Sequence, residues 1–131
     1  MTLRFAGYAA LFDRRDAGRD TIRAGAFARS LAARRDPLAL CWQHRADLRI
    51  GWVERAAEDA RGLRIVATLD NSEGAAGMAL RRGAVTGLSF GYRTLASRIG
   101  PQGRDLLDLD LFEVSLVSHP MQHAARVHWI A

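Results

Sequence analysis

The chain has 131 residues, 49% of them apolar and 25% charged, with a net charge of +5. That length and balance suit one soluble domain spanning residues 1–131, and no apolar run approaches the ~20 residues needed to cross a bilayer. The N-terminus reaches a charged cluster too soon for a secretory leader, so a cytoplasmic protein is expected. The single cysteine, Cys41, has no internal disulfide partner, and no CxxC or HExxH spacing points to a metal, so neither cofactor nor metal is expected. Every basic residue is arginine. The arginines are scattered, which reads as a solvated basic surface rather than a nucleic-acid patch.

In chain order, Thr2 to Phe12 alternates as a strand with a bulge at Gly7. Asp13 to Arg23 is polar and turn-rich, a predicted loop. Ala24 to Arg35 is alanine-rich, with Phe27 and Leu31 four apart on one helical face, and Asp36-Pro37 ends it. Leu38 to Gln43 is a short buried strand. Arg45 to Arg49 is polar, and Ile50-Gly51-Trp52-Val53 opens another strand. Asp59-Ala60-Arg61-Gly62 is a hairpin turn into Leu63 to Leu69. Asn71-Ser72-Glu73 offers caps for a helix over Ala75 to Arg82, closed by Gly83. Strands Val85 to Ala96 and Arg104 to Val117 flank a turn at Gly100 to Gly103, and Ala125 to Ile130 is the last strand. Strands dominate, in the order strand, helix, three strands, helix, three strands. This pattern predicts a mainly β fold (α+β), a closed antiparallel barrel with a few flanking helices, and not a doubly wound one.

Three polar residues stand out on strand-like segments. Ser89 lies between Gly87 and Gly91. His44 ends the run Leu40-Cys41-Trp42-Gln43-His44. Glu113 sits in Asp110-Leu111-Phe112-Glu113-Val114-Ser115. A serine, a histidine and a carboxylate are the parts of nucleophilic acyl transfer. Each alone has an ordinary explanation: a strand serine, a structural histidine, a carboxylate paired with an arginine. The flanking glycines suggest close approach of a substrate to the backbone, and nearby amides suggest an oxyanion site. Period-two alternation places Leu109, Leu111, Glu113 and Ser115 on one face, so the carboxylate needs a partner there. His119 is the alternative third member, and His123 is open to the same place, although surface placement is the favoured reading of His123 and His128. Cys41 reads as a small buried hydrophobe.

These motifs, in order and over nearly the whole chain, carry a resemblance. The matching blocks are Gly7-Tyr8-Ala9-Ala10-Leu11-Phe12, Ala24-Gly25-Ala26-Phe27 with Ser30-Leu31, Trp42-Gln43-His44 with Ile50-Gly51, and Gly62-Leu63. The two most specific are Gly83 to Tyr92 and Leu111 to Pro120. Together they resemble the prohead (capsid maturation) serine proteases of tailed phages, of the HK97 type, found in phages, prophages and gene transfer agents. The resemblance implies the barrel of the herpesvirus assembly proteases, with Ser89 as nucleophile, His44 as general base and Glu113 as orienting acid. The herpesvirus relatives carry a second histidine in the third position, which is the case for His119.

The resemblance further implies that the substrate is the major capsid protein or its scaffolding segment, and often the protease itself. It implies action inside the immature capsid in the host cytoplasm, a homo-oligomer (a dimer or higher), and no membrane or specific nucleic-acid partner. The chain stops soon after Ile130, without the longer C-terminal tail of many members. Two other classes compete: a non-catalytic internal scaffold of the same fold, and a basic nucleic-acid-binding barrel that would use Trp42, Trp52, Phe90 and Tyr92 for stacking.

Overall fold

A computed structural model describes residues 1–131. The elements are β1 (Leu3–Leu11), β2 (Asp20–Ile22), α1 (Ala28–Ala33), β3 (Leu38–Trp42), β4 (Arg45–Glu58) and β5 (Gly62–Leu69). They continue as α2 (Ala75–Arg81), β6 (Gly87–Gly100), β7 (Gly103–Val117) and β8 (Val127–Ile130). The fold is mainly β, as the alternation predicts. On β5 the period is visible directly: Leu63, Ile65, Ala67 and Leu69 are buried, while Arg64 is exposed. Leu38 and Leu40 of β3, Leu88 of β6 and Leu106, Leu109 and Leu111 of β7 meet that face, with Phe5 and Phe27, in one core.

The eight strands form a single sheet in the order β2-β7-β3-β4-β5-β1-β8, and β6 pairs along β7. Two features depart from the closed antiparallel barrel. First, the sheet is mixed: β2 and β3 both pair with β7 in parallel. Second, it does not close. Its ends meet at one bridge, Gly87 with Arg126, where Leu88 N–H donates to Ala125 O and Val127 N–H donates to Thr86 O, both at 2.9 Å. The four residues of β8 are too few for a second ladder. The β6–β7 hairpin also carries register shifts after Gly91, Thr94 and Ala96. Such bulges bend a hairpin and carry it out of line.

The first helix is shorter than its alanine content suggests. Gly25 has φ +91°, outside the helical region, and the Glu58 carboxylate accepts from Gly25 N–H and Phe27 N–H, both at 2.8 Å. That borrowed cap starts the helix only at Ala28 and leaves Phe27 wholly in the core. At the end of α2, Gly83 (φ +74°) donates to Leu80 O and Ala84 N–H donates to Ala79 O. This is the two-bond C-terminal closure that a glycine permits.

Within the predicted loop 13–23, a short strand forms because Arg104 forks onto Asp20 at 3.1 and 3.0 Å, fastening β2 to β7. The polar stretch from Arg45 is also strand, since a two-residue turn at Gln43–His44 pairs Trp42 with Arg45. The bulge near Gly7 is present: β1 shifts register between Tyr8 and Ala10 against β5, and between Ala6 and Gly7 against β8.

Leu40 is fully buried on the strand that leads to His44. Leu40→Ala is expected to cost about 2–5 kcal/mol of unfolding free energy. A urea titration followed by circular dichroism checks it, with a lowered midpoint and an unchanged slope as the expected result.

A histidine–carboxylate pair beside a buried serine

Parallel pairing of β3 with β7 sets Ala39 opposite Glu113 and Cys41 opposite Ser115. The antiparallel β6–β7 pairing sets Ser89 opposite Ser115 and Gly91 opposite Glu113. Residues 89, 91, 113 and 115 therefore share one patch of sheet. The alternation through β7 does not run unbroken to this point. A register shift passes over Phe112, so Leu109 and Leu111 are in the core together with Val114 and Leu116, and Phe112 is exposed. The bulge thus moves Glu113 and Ser115 off the face of Leu109 and Leu111, where strict alternation would leave them.

The two glycines are set by close neighbours: Gly91 by the carboxylate and Gly87 by the chain from Val117 to Pro120. A Cβ on Gly91 would lie 2.6 Å from Glu113 Oε1 and 2.8 Å from its Cγ. A Cβ on Gly87 would lie 2.6 Å from Val117 O and 2.8 Å from the Pro120 ring.

His44 occupies the turn between β3 and β4. Gln43 (φ 52°) and His44 (φ 61°) are both left-handed, the backbone of a tight two-residue hairpin that ordinarily calls for Asn-Gly. This turn folds the imidazole back over β7. His44 Nδ1 lies 2.6 Å from Glu113 Oε1, and the backbone N–H of His44 donates to Ser115 Oγ at 3.1 Å. Ser115 Oγ in turn donates to the other carboxylate oxygen, Glu113 Oε2, at 2.6 Å. Since an ionised carboxylate only accepts, Nδ1 carries the proton and Nε2 is left as the free acceptor.

The hydrogen bond to Glu113 raises the His44 pKa above its ordinary 6.5, with the carboxylate's charge adding to the effect and partial burial opposing it. The Cys41 thiol is pushed up by burial and by the negative charge of Glu113, which keeps it protonated and unreactive.

Two serine hydroxyls are near this pair, and the hydrogen bonds separate them. Ser115 is fully buried and uses its hydroxyl both as donor and as acceptor. Ser89 faces a cavity of about 110 Å³ that His44 also lines, with Leu88, Phe90, Tyr92 and Met121 as its apolar walls. Its hydroxyl is spoken for by no other side chain. The loop bordering the cavity is pinned by buried Gln122, whose amide accepts from Leu11 N–H at 2.7 Å and donates to Leu11 O at 2.8 Å.

His119 is exposed between Ser118 and Pro120, and makes no bond to His44, Ser89 or Glu113. His123 and His128 are also exposed. Sequence reasoning passed over Ser115 as a participant, because a serine two residues from a glutamate carries no signal until the bulge and the parallel pairing are known.

A larger cavity, about 440 Å³, lies against Trp42, Ile50, Leu69, Ala75 and Ala76, with the Arg49–Asp70 ion pair in its wall. No serine, threonine, cysteine or histidine lines it. The aromatics are committed elsewhere: Phe90 packs edge-on against Phe27 at 5.2 Å and beside Tyr92 at 4.9 Å, while the Arg49 guanidinium covers the Trp52 ring at 4.4 Å. No group of three His, Cys, Asp or Glu side chains is arranged to hold a metal, and no helix is long and apolar enough to cross a membrane.

The family model for caudovirus prohead serine proteases matches residues 1–131. The prohead protease of Enterobacteria phage HK97 is 32% identical over 130 residues. That match covers 94% of this chain and 58% of the phage protein, so the chain spans somewhat over half its relative's length. Among solved structures, the Kaposi's sarcoma-associated herpesvirus (KSHV) protease bound to a hexapeptide phosphonate inhibitor superposes with a TM-score of 0.69 at 12% identity. The superposition covers 100% of this chain and 65% of that one. The varicella-zoster virus protease gives 0.63 at 17% identity, covering 98% and 64%. At those identities the likeness is one of fold.

His44 is expected to titrate above 6.5, and Glu113→Gln to return it toward that value, because the neutral amide cannot stabilise the imidazolium. The sign carries into stability. A histidine whose pKa is raised by folding contributes fully below its unfolded pKa, and the contribution fades as pH rises through the raised value. Imidazole resonances followed by NMR across that range, in both proteins, test the shift.

Proposed function

Because the chain belongs to the caudovirus prohead serine protease family, we propose that it is a serine endopeptidase that processes capsid or scaffold protein while a phage-like prohead matures. The observation that carries this reading is the 2.6 Å His44–Glu113 contact at the edge of the cavity that holds the unengaged Ser89 hydroxyl. In this mechanism Ser89 Oγ attacks the scissile carbonyl carbon as His44 Nε2 takes its proton. Glu113 holds the imidazole in the required tautomer and offsets the positive charge that develops on it. His44 then returns the proton to the leaving amine, and an acyl-enzyme on Ser89 is released by water activated in the same way. Backbone amides of Ser89 and of the loop that follows Ser118, up to Gln122, are the proposed donors to the oxyanion, and the Gln122 clamp onto Leu11 holds that loop still.

The raised His44 pKa sets the direction of the pH dependence. The base must be neutral to accept a proton, so the rate climbs as pH rises through a value above the ordinary 6.5. The proposed substrates are the major capsid protein or its scaffolding segment, with the protease itself as a further one. The proposed setting is the interior of the immature capsid in the bacterial cytoplasm, with the protease as a homodimer in a single domain.

Ser89→Ala is expected to leave the thermal unfolding midpoint unchanged and to lower peptide-bond cleavage by about 10⁶-fold, as when one member of a cooperating triad is lost. Co-expression with the capsid protein of the same genome, read by mass spectrometry of the assembled shells, checks this. Shells that mature normally around Ser89→Ala and His44→Ala protein would leave the chain as a structural scaffold.

A further inference from the structure

His44 is an exposed base on a turn that its own sequence disfavours. Its side chain is 44% exposed, so packing alone does not hold it. Both turn residues are left-handed, yet neither is the asparagine or glycine that tolerates this backbone. Something besides local preference keeps the turn in place, and the bonds around Gln43 supply it. Gln43 N–H donates to Leu116 O at 2.9 Å, extending the parallel ladder by one rung. Its side chain closes a two-bond ring with Ser118: Nε2 donates to Ser118 Oγ at 2.7 Å, and Oε1 accepts from Ser118 N–H at 3.0 Å. The backbone N–H can only donate, so this pairing fixes which end of the amide is which.

Ser118 also opens the loop that contains Met121 and Gln122, both of which line the Ser89 cavity. The ring therefore joins the turn that bears the base to the loop that borders the nucleophile. An asparagine at 43 would suit the backbone better but is one methylene too short for both bonds. Reach, not turn preference, explains a glutamine here.

We propose that Gln43 and Ser118 form a positioning clamp that holds the strained turn so that His44 stays aligned between Glu113 and Ser89. This rests on the serine-protease reading above. Neither residue touches the reacting atoms; both act through His44. Displacing a catalytic group by about 1 Å costs on the order of 10²-fold in rate, so loosening the clamp is expected to slow the chemistry without weakening substrate binding.

The test uses the whole chain and an alkyl fluorophosphonate, which reports attack by Ser89 without knowledge of the natural cleavage site. In Gln43→Asn and Ser118→Ala, the maximal inactivation rate is expected to fall about 10- to 100-fold, with the half-saturating concentration unchanged. The acid limb of the rate is expected to move down toward the ordinary histidine pKa as the bond to Glu113 loosens. The thermal midpoint of Gln43→Asn should not fall, since asparagine accepts the left-handed turn. Ser118→Thr, which keeps the hydroxyl, should restore the rate, and the double variant should be no slower than the worse single one.

Native rates and an unmoved acid limb in both Gln43→Asn and Ser118→Ala overturn the clamp. If Gln43→Asn fails to fold, the Ser118→Ala and Ser118→Thr pair decides alone. His44→Ala separates the two readings: a native rate there removes the triad itself, whereas a lost rate in His44→Ala with native rates in the clamp variants removes only the clamp.

Discussion

The parallel run of β3 beside β7 underlies everything else at the site. Four aligned residues, from Ala39 against Glu113 to Trp42 against Leu116, bring one strand alongside the last residues of another, each pair separated by about 74 positions of chain. Without that alignment the Gln43–His44 turn would point its imidazole into solvent. With it, the turn reverses directly above the carboxylate, and the backbone N–H of His44 reaches Ser115. A parallel pair cannot be joined by a tight turn. The intervening β4, β5, α2 and β6 fill that crossover, and β6 returns alongside β7 with Ser89 in place.

Much of the architecture was legible because burial imposes period two on strands: β5 and the start of β1 read straight from their apolar residues, and the end of α2 from Gly83, although its N-cap is Gly74 with no side-chain bond rather than one of Asn71, Ser72 or Glu73. What escaped reading depended on distant partners. The strand at Asp20–Ile22 exists through Arg104, and the polar start of β4 through a left-handed turn that carries neither asparagine nor glycine. The delayed start of α1 depends on Glu58, thirty residues downstream. Closure of the barrel was a matter of length and bend: β8 is short and the β6–β7 hairpin is bulged, so one bridge stands where a ladder was expected. At the candidate site, residue type and family resemblance singled out Ser89, His44 and Glu113; the structure sets His44 against Glu113 and lines one cavity with His44 and Ser89. The skipped Phe112, which turns Glu113 toward His44, left no mark in the pattern of hydrophobicity.

The geometry also separates the two serine hydroxyls near His44, and it separates Glu113 from His119 as the partner of that histidine. Ser115 is buried and saturated with hydrogen bonds, whereas Ser89 borders a cavity with its hydroxyl uncommitted. Glu113 bonds to His44, while His119 sits outside the cluster. The likeness to the herpesvirus proteases extends to the course of the chain. Within that shared course, this protein fills the space beside its histidine with a carboxylate from the neighbouring strand.

That carboxylate occupies the volume a side chain at position 91 would need. The two positions are consequently not free to drift apart in descent. A lineage that gains even a methyl group at 91 must swing the acid at 113 from its present place, surrender it, or shift the strand that bears it. A lineage that replaces the acid leaves a hollow that larger residues at 91 can colonise. Across descendants of this chain, glycine at one site and glutamate at the other should be inherited as a pair.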